Sequence, residues 1–583
     1  MDQKRLFLAI ALSIGVLLGF QLLFPPPPAS RQAQQAVPTK TTPTAVAPGP
    51  VGGGPAYPGT QPVPVPPPRD VPRLAIDAPR VKGSVSLVGA RLDDLVLRDY
   101  RVEVDPASPQ VRLLESRSDP QPYFAQFGWT SETPGVRLPD AETLWTASEG
   151  PLTTGRPVTL SWDNGAGLVF EILLRVDENY LFTAEQRVRN TAGTPVSLRP
   201  WSRIRREYKP VVAGYYILHE GLLGVFGGKL HEVGYDGAKS DAAKRGGGPA
   251  LEQVTTGGWA GITDKYWLTA LIPDQATPVT AAFRHTTENG ADRYQVDFLA
   301  NQAQEVAPGA AAVNTTRLFA GAKEVHMLDR YERQLGIPNF DKAVDFGWFY
   351  FLTKPIFYAL DWLYRAFGNF GVAILIFTVF VKALFFPLAN KSYKSMSKMK
   401  LLTPRMTEIR EQYKDDPAKM QQEMMQLYKS EKVNPVSGCL PILIQIPVFF
   451  ALYKVIFITI EMRHAPFFGW IRDLSAPDPT NLFNLFGLLP FDPAAITPLL
   501  HMGIWPLIMG VTMYFQQKLN PPPPDPVQAR VFQFMPIIFT FMLAGFPAGL
   551  VIYWSWNNLL TIAQQWLIMR QTRLENPRVA RSA

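Results

Sequence analysis

The sequence predicts a polytopic α-helical membrane protein with six spans, five of them forming a C-terminal helical core, joined to a large extracytoplasmic all-β sandwich domain. Three observations predict it. At 583 residues the chain is too long for one hydrophobic core, and its 55 prolines and 43 glycines imply long connections. Residues 73–335 are polar with short alternating runs, whereas residues 346–569 are dominated by apolar stretches of near-spanning length. Basic residues crowd beside some of those stretches and avoid others: ten Lys/Arg in 389–433, against only Arg463 and Arg472 in 461–498.

Residues 1–24 open with a short basic segment followed by an apolar run broken only by Ser13 and Gln21. A cleaved signal peptide has a shorter apolar region and a small-residue cleavage site, so 1–24 reads as an uncleaved membrane anchor with its N-terminus in the cytoplasm. Residues 25–72, rich in Pro, Gly, Ala, Gln and Thr, cannot bury a core and read as a semi-extended tether. From 73 to 340, β-rich runs such as 168–176, 180–188, 266–272 and 294–299 are separated by turn signals, including Asp163-Asn164-Gly165 and Glu288-Asn289-Gly290. That pattern suits a large antiparallel sandwich. It contains no nucleophile elbow, phosphate loop or metal-ligand spacing, and His219, His231, His285 and His326 are scattered. The domain reads as a binding or spacer module. Cys439 is the only cysteine, so no disulfide within the chain can staple it.

In 341–368, Lys354, Tyr358, Asp361 and Arg365 form one polar stripe on an otherwise aromatic and aliphatic helix. An amphipathic helix lying in the membrane interface fits this better than a buried helix of the sandwich. The core then runs as a second span 369–388, a cytoplasmic helical hairpin 389–434, a third span 435–460 and an extracytoplasmic connection 461–498. A fourth span 499–517, a cytoplasmic loop 518–530, a fifth span 531–545, a sixth span 547–569 and a tail 570–583 complete it. With the N-terminus inside, six crossings place the ten-charge loop and Arg570, Arg573, Arg578 and Arg581 in the cytoplasm and the sandwich outside. The net charge of +8 is therefore topology, and no sequence-specific nucleic-acid partner is expected.

Lys382 is the residue that most needs a reason. It stands inside 371–388, a run with no other charge, where an ammonium costs roughly 2.5–3.5 kcal/mol on insertion scales. Snorkelling is the bland reading, but the polar loop starts at Asn390, about 12 Å away along a helix. No Asp or Glu lies in the core spans except Glu461 at an extracytoplasmic end, while Lys454 sits nearer an end than Lys382. A central cation without an acidic partner requires water, so a hydrated cavity is expected. Thr378 lies one turn before Lys382, Gln445 lies in the third span, and Asn557, Thr561 and Gln564 share a face of the last. Interhelical hydrogen bonding accounts for the last set but not for Lys382.

The cytoplasmic hairpin turns at Asp415-Asp416-Pro417. Met396, Met399, Met406, Ile409 and Tyr413 form one apolar stripe, Met420, Met424 and Leu427 a second, and Lys391, Lys394 and Lys398 line another face. A helical hairpin with a solvated basic face explains the lysines. Six methionines in this loop suit a surface that accepts diverse apolar segments.

The motifs KVNPVSGCL (432–440), QIP (445–447), EMRHAP (461–466), WIRDLSAPDP (470–479), GVTMYF (510–515) and QQ (564–565) resemble those of the YidC membrane-protein insertases of Gram-negative bacteria, relatives of the Oxa-type insertases. The resemblance is dense over 346–573 and architectural over the first 340 residues. It implies a hydrophilic groove open to cytoplasm and lipid, a periplasmic β-domain and an inner-membrane location. Lys382 falls where the family usually carries arginine, Thr378 and Gln445 match groove-lining positions, and Asn557 falls where serine is frequent. Lysine keeps the charge but lacks the planar five-donor fork. The implied partners are nascent membrane proteins, the Sec translocon, the lipid bilayer, and a ribosome or targeting factors at the hairpin. No catalytic residue, cofactor or metal is implied. Two other readings remain open at this level: an anion transporter using Lys382, disfavoured by missing repeats and coupling carboxylates, and a periplasmic sugar-binding receptor.

Overall fold

Alternation decides the first half of the molecule. The run LVFEILLRV becomes the strand Leu168–Val176, with Leu168, Phe170, Ile172, Leu174 and Val176 buried. The strand Val196–Arg206 repeats the pattern over eleven residues. Turn chemistry sets the registers. Asn289 and Gly290 both take positive φ, 53° and 77°, and join Pro278–Glu288 to Ala291–Ala300 by a two-residue hairpin that pairs Glu288 with Ala291.

The computed structural model describes residues 71–212, 218–431, 440–491, 493, 496–497, 500–520 and 526–575. The predicted anchor, nearly all of the tether, Cys439 and almost all of the 432–440 motif lie outside them. The chain divides into two units, Ser30–Asp345 and Met1–Ala29 with Phe346–Ala583.

In the first unit two antiparallel sheets of ten and nine strands form the sandwich. The spatial order in one begins Arg73–Asp77, Val81–Ser86, Arg91–Arg101, Tyr123–Ser131, Val196–Arg206 and ends Ala291–Ala300, Pro278–Glu288, Leu251–Thr256. The other is centred on Trp267–Pro273, Ala311–Ala322, Leu181–Asn190 and Leu168–Val176. Trp259, Tyr123, Phe170, Phe226, Phe283 and Phe319 are fully buried. Helix α1 (Tyr235–Lys244) and helix α2 (Val325–Leu335) belong to the same unit, and Gly336 ends α2 in the left-handed conformation that glycine adopts freely. Carboxylates meet two of the unit's enclosed arginines: Arg206 makes bonds of 2.8 and 2.7 Å to Asp264, and Arg284 reaches Asp297 at 2.9 Å.

The second unit is helical. Helix α3 (Tyr350–Phe367) ends at Gly368, and α4 (Phe370–Leu384) begins with Asn369 accepting from the Val372 N–H at 3.1 Å. There follow α5 (Phe386–Leu401), α6 (Thr403–Gln412), α7 (Pro417–Ser430), α8 (Leu440–Ile458), α9 (Ile504–Leu519), α10 (Pro526–Leu543) and α11 (Ala548–Glu575). Residues 369–388, expected as the second span, are not one helix: the chain bends by 68° between α4 and α5. Pro387 is the cause: it disfavours helical geometry at the preceding residue and suits the first turn of a new helix. Lys382 therefore stands in the last turn of α4 rather than in mid-helix. Pro404 likewise marks the start of α6, so the first arm of the hairpin is two helices. Among the described residues no single helix is both long and apolar enough to cross a membrane, but the bent pair α4 and α5 is, by length and composition.

Candidate functional site

The last helix organises the site. Five side-chain bonds run from α11, or its partners, to neighbouring segments. Gln445 Nε2 on α8 donates to Tyr553 Oη at 2.5 Å, and Trp556 Nε1 donates to the Leu375 carbonyl of α4 at 3.1 Å. Asn558 Nδ2 donates to Thr512 Oγ1 of α9 at 3.2 Å, and Gln565 Nε2 to Asn520 Oδ1 at 3.1 Å. The fifth bond is the unusual one. Lys382 Nζ donates to Thr561 Oγ1 at 2.8 Å, and that hydroxyl donates in turn to the Asn557 carbonyl at 2.7 Å. A hydroxyl backed by a main-chain carbonyl thus takes the place of a carboxylate, and among the described residues no Asp or Glu pairs with Lys382.

Beside it lies a small recess of about 30 Å³, lined by Val381, Lys382, Phe385, Leu388, Ala389, Tyr393, Gln445 and Gln564. In its lining Gln564 Nε2 is buried without a hydrogen bond, and elsewhere on α5 and α11 so are Asn390 Oδ1, Asn557 Oδ1 and Gln565 Oε1. An unmet buried polar group costs about 1–3 kcal/mol, so each favours water or a polar guest. The arrangement sets a cation and unmet amide atoms beside a water-sized recess. It has no nucleophile–base pair. In the sandwich unit the carboxylates of Asp329, Glu332 and Asp341 converge, but each is engaged elsewhere as well.

Of the residues expected from the sequence, Lys382 and Gln445 line the recess and Thr561 holds the lysine. Asn557 contributes its carbonyl to the Thr561 bond, while its side-chain oxygen has no partner. Thr378 does not line the recess: it is buried, and its hydroxyl donates to the Ile374 carbonyl of its own helix at 2.7 Å. Helical spacing put it on the right face but could not foresee this back-bonding. Tyr393 and Tyr553 were missed. Both are aromatic residues read as apolar in the sequence, yet each carries a hydroxyl: Tyr553 Oη accepts from Gln445, and Tyr393 lines the recess.

In the hairpin, Lys391 and Lys398 are exposed and Lys394 is half-buried. Met396, Met399, Met420 and Met424 are half-buried, and Met406 is buried with its sulfur 4.0 Å from the Tyr428 hydroxyl. Arg405 and Glu431 pair at 3.1 Å, tying α6 to the end of α7.

Comparison with known proteins is extensive. Residues 362–576 match the 60Kd inner membrane protein family and residues 73–359 match the YidC periplasmic domain. The chain is 62% identical to a membrane protein insertase YidC of Granulibacter bethesdensis over 100% of both chains. It is 52% identical to the protein of that name from Methylorubrum extorquens, over 98% of this chain and 95% of the relative. A crystal structure of an active YidC insertase with its first transmembrane domain resolved overlaps 85% of this chain and 92% of its own at 20% identity and a TM-score of 0.35, too low for the superposition to add to the sequence match.

Proposed function

The chain belongs to the YidC family of membrane protein insertases, and on that premise we propose that insertion proceeds through the Lys382 recess. As a family member it is an inner-membrane protein with a periplasmic β-sandwich domain, it acts on membrane proteins, and it is not an enzyme. The observation that carries the proposal is the half-buried Lys382 held by a hydroxyl, beside amide groups left without partners.

In this reading the recess attracts the acidic, hydrated tail or loop of a nascent protein and shortens its path through the apolar layer. The adjoining hydrophobic segment moves along the exposed apolar surface of α8 and α11, where Ile446, Phe450, Leu559, Trp566 and Leu567 are accessible. It leaves because lipid is the better solvent: Leu, Ile and Phe each gain about 0.3–0.6 kcal/mol on insertion scales. The membrane potential adds about 2.3 kcal/mol per charge per 100 mV for acidic tails moving outward. Lys382, Gln445, Thr561 and Asn557 form the working wall, with Tyr393 and Gln564 beside them and Thr378 supporting α4. The topology is six spans with both termini in the cytoplasm, which sets all the basic clusters on one side. The lysines and methionines of the hairpin receive apolar clients and face a ribosome or targeting factors, and the sandwich and α3 offer surfaces to the Sec translocon.

Complementation of an insertase-depleted bacterium tests this, scoring insertion of a small single-span client. Wild type and Lys382→Arg are expected to rescue while Lys382→Glu fails. Equal rescue by Lys382→Ala and Lys382→Glu would remove the charge from the mechanism and leave the family function standing.

A further inference from the structure

Between Pro479 and Phe491 the chain carries no charge, and most of its side chains are apolar (LFNLFGLLPF over 482–491). Hydropathy alone would bury such a segment. Instead Leu485, Phe486 and Phe491 are about half exposed, at 52%, 50% and 48%, and Leu488 and Ile496 reach 81% and 73%. Leu485 and Phe486 are held at φ 52° and 59°, a conformation that bulky L residues rarely adopt. This is a built loop. Asn481 donates through Nδ2 to the Leu500 carbonyl at 2.9 Å and accepts from the Phe483 N–H at 3.0 Å. The main-chain N–H groups of Phe486, Leu488 and Leu489 bond within the loop, at 2.9, 3.3 and 3.0 Å, and Asn484 Oδ1 takes the Gly487 N–H at 2.9 Å. These five N–H groups are bonded locally, and the hydrocarbon is turned outward.

The anchor fixes where the loop sits. Asp478 accepts from Trp470 Nε1 at 3.1 Å and from the Trp505 N–H at the start of α9 at 2.9 Å. Ala548 N–H at the start of α11 donates to the Ala476 carbonyl at 2.7 Å, and Asn369 at the start of α4 donates to the Phe467 carbonyl at 3.3 Å. The loop therefore stands at the end of the bundle where α4, α9 and α11 begin. At the same end α3 closes on Gly368, and it exposes Phe351, Trp362 and Phe367.

We propose that residues 482–491, with Ile496, form a wedge inserted into the acyl-chain border of the periplasmic leaflet, a second interfacial anchor beside α3. The proposal rests on the topology given above. A lipid surface is the occupant the chemistry fits: N–H groups bonded within the loop lower the cost of entering the acyl border, and the exposed apolar side chains offer no charge or hydrogen bond with which to select a protein partner.

The test places bimane on Leu488→Cys, and separately on Ile496→Cys, in full-length protein carrying Cys439→Ser and reconstituted in vesicles. Exposed Val211, at 95%, is the solvent reference as Val211→Cys. Quenching by a lipid with a spin label high on its acyl chain is expected to exceed quenching by iodide about threefold at the loop sites and to reverse at the reference. Iodide quenching at the loop equal to the reference would overturn the wedge, and so would protection from both quenchers, which would mean a protein surface covers it. Failure of the topology is read separately, by labelling exposed Arg472→Cys in intact spheroplasts with an impermeant maleimide. Labelling with a solvent-quenched loop removes only the wedge, whereas no labelling removes the periplasmic assignment and the wedge together.

Discussion

The two units meet their buried cations with different partners, carboxylates in the sandwich and a hydroxyl in the helical unit. In the sandwich, Arg206 is 3% exposed and is met by both oxygens of Asp264 and by Tyr235 Oη at 2.5 Å, while Arg205 meets Glu288 at 2.8 Å and Arg284 meets Asp297 at 2.9 Å. In the helical unit Lys382 has one hydroxyl, and the amides around it keep unmatched atoms. Paired charge inside a domain serves the fold, because removing one partner leaves the other stranded. Lys382 has a hydroxyl and, among the described residues, no carboxylate partner, and in the proposed reading that leaves its charge to a guest.

The contrast breaks most visibly at Lys382. Lys382→Glu should lower client insertion at least tenfold in a membrane-insertion assay, roughly 1.4 kcal/mol or more, with expression unchanged. The sandwich should respond in stability alone. Arg206→Met should destabilise residues 71–345 by roughly 3 kcal/mol in denaturant unfolding, and the double change Arg206→Met with Asp264→Leu should recover most of it. Thr561→Val strips Lys382 of its partner, so insertion should slow severalfold, equivalent to about 1 kcal/mol, while Thr561→Ser stays near wild type. Gln564→Leu removes an orphan amide and should stabilise the detergent-solubilised protein by about 1 kcal/mol while slowing insertion. If it does neither, the unmatched amides have no role. The smallest effect concerns pH. Burial holds His219 below its ordinary pKa, although the Leu222 carbonyl bonded to its ring at 3.0 Å pulls the other way. The folded state then binds fewer protons than the unfolded one, so its contribution is full above about pH 6.5 and falls as pH drops towards the lowered value. His219→Asn should flatten that part of the melting-temperature profile of the sandwich by less than about 1 kcal/mol.

Legibility followed the same division. Strands such as Leu168–Val176 and the Asn289-Gly290 hairpin were readable because a period of two and a positive-φ pair are local properties. Lys382 was readable because a lone charge in an apolar run has few explanations. Its setting was not. Pro387 was present in the sequence, but a bend depends on how the following helix packs, and Thr378 reveals its back-bonding only through a rotamer. Tyr393 and Tyr553 enter the site through tertiary contact between distant helices, which spacing along one helix does not encode. Residues 482–491 read simply as part of a connection, since an apolar loop held by local N–H bonds has no periodic signature.

The helices also differ in reach. At 1.5 Å per residue the 15 residues of α4 extend about 22 Å and the 16 of α9 about 24 Å, both short of a hydrocarbon layer roughly 30 Å thick. The 28 residues of α11 extend about 42 Å and overshoot it. On the proposed topology α11 outreaches the α4 and α9 helices to which it is bonded, and acyl chains bordering the shorter two would shorten or tilt to match. On that topology the surplus at the far end of α11 carries Arg570 towards the headgroups instead of the apolar layer.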